Sequence, residues 1–424
     1  MGLGKAQGLS PKTSLLHNQG KVLSLFFIDN GTTAERICDT ITVAKVVVCL
    51  EKRKYDVAAY IWPAFTGDEP RTRIFWEKGI GEWQTVMFPT DKPEWKYSGA
   101  KPIWGYENEA DPIVMEKQIA CAAEHGVNVF IYDWYWYDGR PFLDQCLNNG
   151  YLKAKNNDKV KFYLMWANHD VNYMWDKRIN HINSMIWHGW VRRPDFDEIC
   201  DRVIEQYFKH PSYYQITGKP VFLIYDVENL IRGLGGVEAT AQALDAFRKK
   251  VTDAGFAGLE LQLCAWSENA VNLSGVDSEH SGSTLDAVKL LHIDSITNYQ
   301  FAHLVSHPKG DYTEIFQTVR KQWERYDREY DIPYYPHISV GWDNNLRCLD
   351  FRRDLITNNT PECFGKALEA ARDYLDAHPE RTPLVTINSW NEWTEGSYLE
   401  PDTINGYGYL EEIRRVFAGE QEDS

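Results

Sequence analysis

Val127-Asn128-Val129-Phe130-Ile131-Tyr132 runs directly into Asp133-Trp134-Tyr135-Trp136-Tyr137. The first six residues are apolar apart from Asn128. A continuous apolar run of this length suits a strand covered on both faces, as in a parallel sheet. Ahead of it, Ile113, Lys117, Ala120 and Glu124 fall at helical spacing, and Gly126 marks the stop. Behind it come four more aromatics and one carboxylate.

The same unit recurs in both directions. Val57–Ile61 precedes it, ending in Tyr60-Ile61-Trp62-Pro63, and a Gly/Pro/Trp-rich insertion spans Ala64 to Ala110. Strands are expected downstream at Phe162–Trp166, Val221–Tyr225, Leu259–Leu263, Ser295–Tyr299, Tyr335–Val340 and Leu384–Asn388. Helices are expected at Phe196–Lys209 behind an Asp195 N-cap, and at Val237–Ala254, Thr284–Leu291, Tyr312–Tyr330, Pro361–Ala377 and Tyr409–Phe417. Eight strands alternating with helices is the count of a (β/α)8 barrel. A doubly wound open sheet is the rival. The chain lacks the G-x-G-x-x-G or P-loop that such sheets often place after a strand. The barrel is expected over residues 56–418, after an N-terminal extension of residues 1–55 and before a tail of residues 419–424.

Composition narrows the function. The chain has 424 residues, with 45 Lys+Arg against 61 Asp+Glu and a formal net charge of −16. That balance argues against nucleic acid, whose phosphates need clustered cations. No apolar run reaches the ~20 residues of a membrane span. Eight cysteines occur without a C-x-x-C pair, so buried free thiols are expected, with no metal and no cofactor. No secretory signal is recognisable, and the expected compartment is the cytoplasm. The 16 Trp and 24 Tyr are the anomaly.

Barrel chemistry gathers at the carboxyl ends of the strands. Those ends read Tyr60 and Trp62; Asp133, Trp134 and Tyr135; Asn168 and His169; Tyr225-Asp226; Trp266; Tyr299; Trp342, Asp343 and Arg347; and Trp390, Asn391, Glu392, Trp393, Thr394, Glu395. Aromatic plates beside polar groups suit a ligand with an apolar face and a hydroxylated rim, such as a pyranose. The alternative is that these aromatics only cover the barrel mouth. Glu392 and Glu395 stand three apart. On a helical turn both face one way, about 5–6 Å apart at Cβ. Two carboxyls so close in an apolar pocket cannot both ionise easily, which supplies an acid and a base. Glycoside cleavage needs that division of labour. Asp195-Phe196-Asp197 matches a D-x-D metal–nucleotide pattern, but it also opens a helix, where acidic residues complement the dipole.

Trp390-Asn391-Glu392-Trp393-Thr394-Glu395-Gly396-Ser397 resembles the strand-eight motif of WbsX-like proteins and of glycoside hydrolase family 99. So do Tyr60-Ile61-Trp62-Pro63, Phe130–Tyr135 and Gly341-Trp342-Asp343-Asn344 with Arg347, over about residues 56–418. The resemblance implies a (β/α)8 barrel and metal-free, retaining, endo-acting cleavage of α-mannosidic links. By motif position it implies Glu392 as base on the sugar's 2-hydroxyl, giving a 1,2-anhydro intermediate, and Glu395 as acid/base. It places Arg347 and Trp342 against sugar. Thr394 and Asp343 depart from the hydrolase pattern, which bears on mannose specificity. The WbsX-like branch also carries a glycosyltransferase label, and a non-catalytic glycan-binding barrel is a third reading. An oligo- or polysaccharide is the expected partner in each.

Overall fold

The structure, a computed structural model, describes residues 55–89, 99–176, 178–179, 184–266, 271–274, 281–305 and 308–418, with a short strand pair before them. The chain divides into two compact units, Met1–Lys54 and Tyr55–Ser424. In the first, Leu16–Asn18 and Lys21–Leu23 pair antiparallel. The tail 419–424 lies outside the described residues.

The second unit is a (β/α)8 barrel. Its strands are β1 (Asp56–Ile61), β2 (Val129–Tyr137), β3 (Lys161–Trp166), β4 (Lys219–Ile224), β5 (Glu260–Cys264), β6 (Ser295–Thr297), β7 (His337–Ser339) and β8 (Leu384–Asn388). Parallel pairing runs continuously in the order β6-β5-β4-β3-β2-β1-β8-β7. Register sets Tyr60 against Ile131 and Ile387 against Ala59, so strands one and eight end nearly level while β2 runs on past them to Tyr137. Between β6 and β7 the ladder thins to one bridge, Ile296 with Tyr334. There Ile296 N donates to Pro333 O at 3.0 Å and Tyr335 N to Ile296 O at 2.9 Å.

The helices are α1 (Trp83–Met87), α2 (Pro112–Glu124), α3 (Arg193–Val203), α4 (Val227–Leu234), α5 (Val237–Asp253), α6 (Thr284–Leu290), α7 (Tyr312–Glu329), α8 (Pro361–Ala377) and α9 (Gly408–Ile413). Their starts follow local chemistry. Asp111 caps α2 ahead of Pro112, Thr360 caps α8 ahead of Pro361, and Ser283 forms a capping box with Asp286 on α6. The stripe Ile315, Val319, Trp323 of α7 and Phe364, Leu368, Leu375 of α8 are buried.

Two expectations need correction. Asp195 does not cap its helix. Arg192 holds that position and α3 starts at Arg193, because a proline fits the first turn, where its missing N–H would have no partner. Asp195 sits inside that turn instead. β2 is followed by short turns at Cys146–Gly150 and Tyr151–Lys153 in place of a full helix.

The barrel interior is polar as well as aromatic. Tyr163 Oη donates to Gln262 at 3.2 Å, and Thr297 and Thr386 hydroxyls meet at 2.8 Å. His337 lies 3.0 Å from both Thr386 and Ser339, and burial keeps its pKa well below the usual value, so it is neutral. These bonds satisfy groups that would otherwise be costly to bury. Six cysteines among the described residues are free thiols, five of them buried. Among those residues no helix is long and apolar enough to cross a membrane.

Candidate active site

β8 ends at Asn388, and the chain turns back through Asn391–Glu392 into a single 3₁₀ turn, Trp393–Glu395. Glu392 precedes that turn and Glu395 ends it, and both side chains reach Arg347. Gly396 closes the turn at φ +60°, in the left-handed region. A Cβ there would also sit 3.2 Å from the Asp343 Cβ.

Arg347 stands between the two carboxyls. Its Nη1 donates to Glu395 Oε1 at 2.6 Å and its Nη2 lies 3.3 Å from Glu392 Oε1. The terminal nitrogens of a guanidinium are about 2.3 Å apart, so the two carboxyl oxygens lie within about 8 Å. The rest of the fork holds Glu82. Nε reaches Oε1 at 2.8 Å and Nη2 reaches Oε2 at 3.0 Å. The Trp62 indole N–H also donates to Glu82, and the guanidinium lies 5.5 Å from the Trp62 ring centre. On the far side, Tyr299 Oη lies 2.8 Å from Glu392 Oε2 and 3.0 Å from Asp133 Oδ2.

Three carboxyls thus share one guanidinium in a buried space, and Asp133 adjoins them through Tyr299. Burial first, then repulsion from Glu392, pushes Glu395 up to about 8, with Arg347 opposing. Burial also raises Glu392, but Arg347 and the Tyr299 hydroxyl hold it back. Burial and the neighbouring Glu392 push Asp133 well above the carboxylate range. At neutral pH the pair therefore divides, with Glu395 neutral and Glu392 the better candidate for the charged form. Glu395 is the more open of the two, its side chain 12% exposed against 4%.

This inequality carries a stability prediction. An unfolded Glu titrates near 4.3. Between about pH 4 and 8 the folded chain keeps a proton on Glu395 that the unfolded chain has released. That stability is complete below the unfolded value and is lost as pH rises through the folded one. Glu395→Gln removes the titration. The unfolding temperature of the variant should fall less than the parent's between about pH 5 and 8 in thermal scans. An equal fall in both proteins would assign the titration to another group.

Other strand-end aromatics wall the same space. Tyr60 meets Tyr299 edge-on at 4.9 Å, Trp62 meets Tyr135 at 5.8 Å, and Tyr135 meets His169 at 5.6 Å. Trp266 stacks on His303 at 4.0 Å and donates its N–H to Tyr225 O at 3.0 Å. Burial lowers His169, with Arg347 adding to the effect, so that imidazole is neutral.

Several expected site residues face elsewhere. Trp134 packs on Trp136 and Tyr207 on the helix side of β2. Alternation along a strand forbids it from sharing a face with Asp133 and Tyr135. Asn168 spends its amide on the Asp226 backbone, donating at 2.7 Å and accepting at 2.8 Å. Asn391 does the same for Trp62, accepting at 2.8 Å and donating at 2.9 Å, and also bonds Glu109 at 3.0 Å. Trp390 donates to Gln118 of α2, and Trp393 stacks on Tyr398 while donating to Glu400 at 2.6 Å. Trp390, Asn391 and Trp393 therefore anchor the loop that carries the two glutamates. Trp342 and Asp343 line a separate cavity of about 310 Å³ with Trp393, Tyr398 and Asn359.

Glu82 is the residue that strand-end reasoning missed. It lies in the insertion, at the entry to α1, and is fully buried. The one local signal is Gly79-Ile80-Gly81 before it. Gly81 has φ +57°, and a Cβ there would stand 2.0 Å from the Ala64 carbonyl oxygen. Only glycine lets the insertion close on β1 and seat Glu82 against Arg347.

The fold is a (β/α)8 barrel with two carboxyls close together just past its eighth strand. The chain belongs to the family described as Glycosyltransferase WbsX, which matches residues 57–413. Two curated relatives, both "Uncharacterized protein WxcX" from strains of Xanthomonas campestris pv. campestris, are 25% identical over 350 residues. The match covers 82% of this chain and 47% of theirs, so the chain spans about half the length of the curated relatives it matches. Among solved structures, a GH99 endo-alpha-mannosidase from Bacteroides thetaiotaomicron aligns at 14% identity and a TM-score of 0.51, covering 84% of this chain and 95% of that one. A protein described as glycoside hydrolase-like aligns at 16% and 0.53, covering 86% and 94%.

Proposed function

We propose that this chain is a retaining glycoside hydrolase that cleaves an α-linked oligo- or polysaccharide through Glu392 and Glu395. One observation carries the reading. Two carboxyls converge on a shared guanidinium in unequal environments, one neutral and more open, the other held toward the charged form by Arg347 and Tyr299. The neutral Glu395 donates its proton to the departing glycosidic oxygen. The ionised Glu392 takes the proton of the sugar's 2-hydroxyl, whose oxygen closes on the anomeric carbon to give a 1,2-anhydro sugar. Glu395, now ionised, then activates water to open that ring, and Glu392 returns its proton. Arg347, itself held by Glu82, fixes the pair. The similarity to a GH99 endo-alpha-mannosidase suggests α-mannosides as the first substrates to try.

The family's description favours a second reading, a glycosyltransferase. A transferase using a sugar nucleotide needs a grip on a diphosphate. The D-x-D candidate supplies a poor one, since Asp197 is paired with Arg193 and Asp195 lies in the first turn of α3. Digestion of a glycan library with NMR of the products reports substrate, linkage and stereochemistry together. Release of an α-configured product supports hydrolysis with retention. Calorimetric binding of a sugar nucleotide, with transfer to an acceptor, would overturn it.

A further inference from the structure

The Tyr299 hydroxyl has a single proton to donate, yet it lies within hydrogen-bond distance of two carboxyl oxygens, Glu392 Oε2 and Asp133 Oδ2. With both carboxyls ionised, one of the two contacts would set a carboxylate oxygen against a hydroxyl lone pair. Asp133 and Glu392 are each 3% exposed, so water does not relieve that conflict. One of the carboxyls therefore carries a proton and donates it to the phenol oxygen.

The surroundings decide which. Glu392 has the Arg347 guanidinium at 3.3 Å. Asp133 has Oδ1 buried with no hydrogen-bond partner among the described residues. The titratable groups around Asp133 are Glu392, Glu395, Tyr60, Tyr135, Tyr225, Tyr299 and Cys264, none of them a cation. His303, stacked beside Tyr299, is neutral because burial lowers it to about 3.

We propose that Asp133 is a permanently protonated carboxylic acid that donates to Tyr299, so that Tyr299 is obliged to donate to Glu392. Asp133 and Tyr299 are then positioning residues for the base, not ligands of the sugar. The chain of bonds fixes the direction of the Tyr299 hydroxyl and favours the ionised form of Glu392. The kinetic part of the test rests on the hydrolase reading; the spectroscopic part does not.

An asparagine at 133 can donate to the phenol oxygen just as a protonated aspartic acid does. Asp133→Asn should therefore keep kcat/KM within about threefold and leave its pH profile in place. Tyr299→Phe removes the donation to Glu392, and Asp133→Ala takes the donor from the phenol oxygen and leaves the hydroxyl free to turn away from Glu392. Each should lower kcat/KM at least about tenfold and move the acid limb up by about one pH unit. If Asp133→Asn is as damaging as Asp133→Ala, Asp133 works as a charged group and the proposal is wrong. Infrared difference spectra of the substrate-free protein check the proton directly. Glu395 gives one buried carboxylic C=O band at neutral pH, and a second should be present in the parent and absent in Asp133→Asn. Its absence from the parent would overturn the proposal. Its presence would uphold it even if no glycan were cleaved.

Discussion

Glu395→Gln is expected to lower kcat/KM about 10²–10⁴-fold on glycans whose leaving group is an ordinary sugar. A sugar alkoxide departs poorly without a proton, and Glu395 holds one at neutral pH because burial and Glu392 oppose its ionisation. The amide preserves the shape and the bond from Arg347 but has no such proton to transfer. The loss should shrink on aryl glycosides of acidic phenols, because that departure needs little protonation. Steady-state kinetics across a leaving-group series reads the difference. The alkaline limb of the parent's kcat/KM profile should also vanish in the variant. Full activity on the natural glycan would remove Glu395 from the acid role.

Glu392→Gln should be equally severe, about 10²–10⁴-fold, with a different signature. A base acting on the 2-hydroxyl is needed whichever group departs. A better leaving group should therefore relieve Glu392→Gln far less than Glu395→Gln. A substrate lacking the 2-hydroxyl should not be turned over even by the parent protein. Turnover of that substrate at an undiminished rate would exclude the anhydro route. Equal relief of both variants would leave the two carboxyls without separate roles.

Much of the fold was legible from sequence because it depends on local periodicity. Apolar runs marked the eight strands, and caps such as Asp111 and Thr360 marked helix starts. Strand ends were less legible: β2 extends through Tyr137, beyond the apolar run, because its aromatics still pair with β3 and with Arg140–Phe142. The strand-end rule gathers Tyr299, Glu392, Glu395 and Arg347 because each follows a strand on that side, and Asp133 because β2 runs on beyond the end of β1. It gives no guidance inside the long insertion, so Glu82 stayed hidden. It also ignores side-chain direction. Alternation alone separates Trp134 from Asp133 and Tyr135. No comparable rule shows that Trp390 and Trp393 turn to Gln118 and Glu400, since those partners lie on other elements. Part of the Trp and Tyr excess therefore braces the loop that carries Glu392 and Glu395 from behind.

The thin joint between β6 and β7 bears on how a bulky chain would enter. A hoop with seven laddered joints and one bridged joint yields first at the bridge. Tyr299 stands just past β6, on the edge of that joint. Glu392 and Glu395 hang from β8, on the other side of β7, and are clasped by Arg347. Parting at the seam would widen the Tyr299 wall and leave the spacing of the two glutamates unchanged. Opening there would act on the bond between Tyr299 and Glu392 and spare the clasp of Arg347 on the two glutamates.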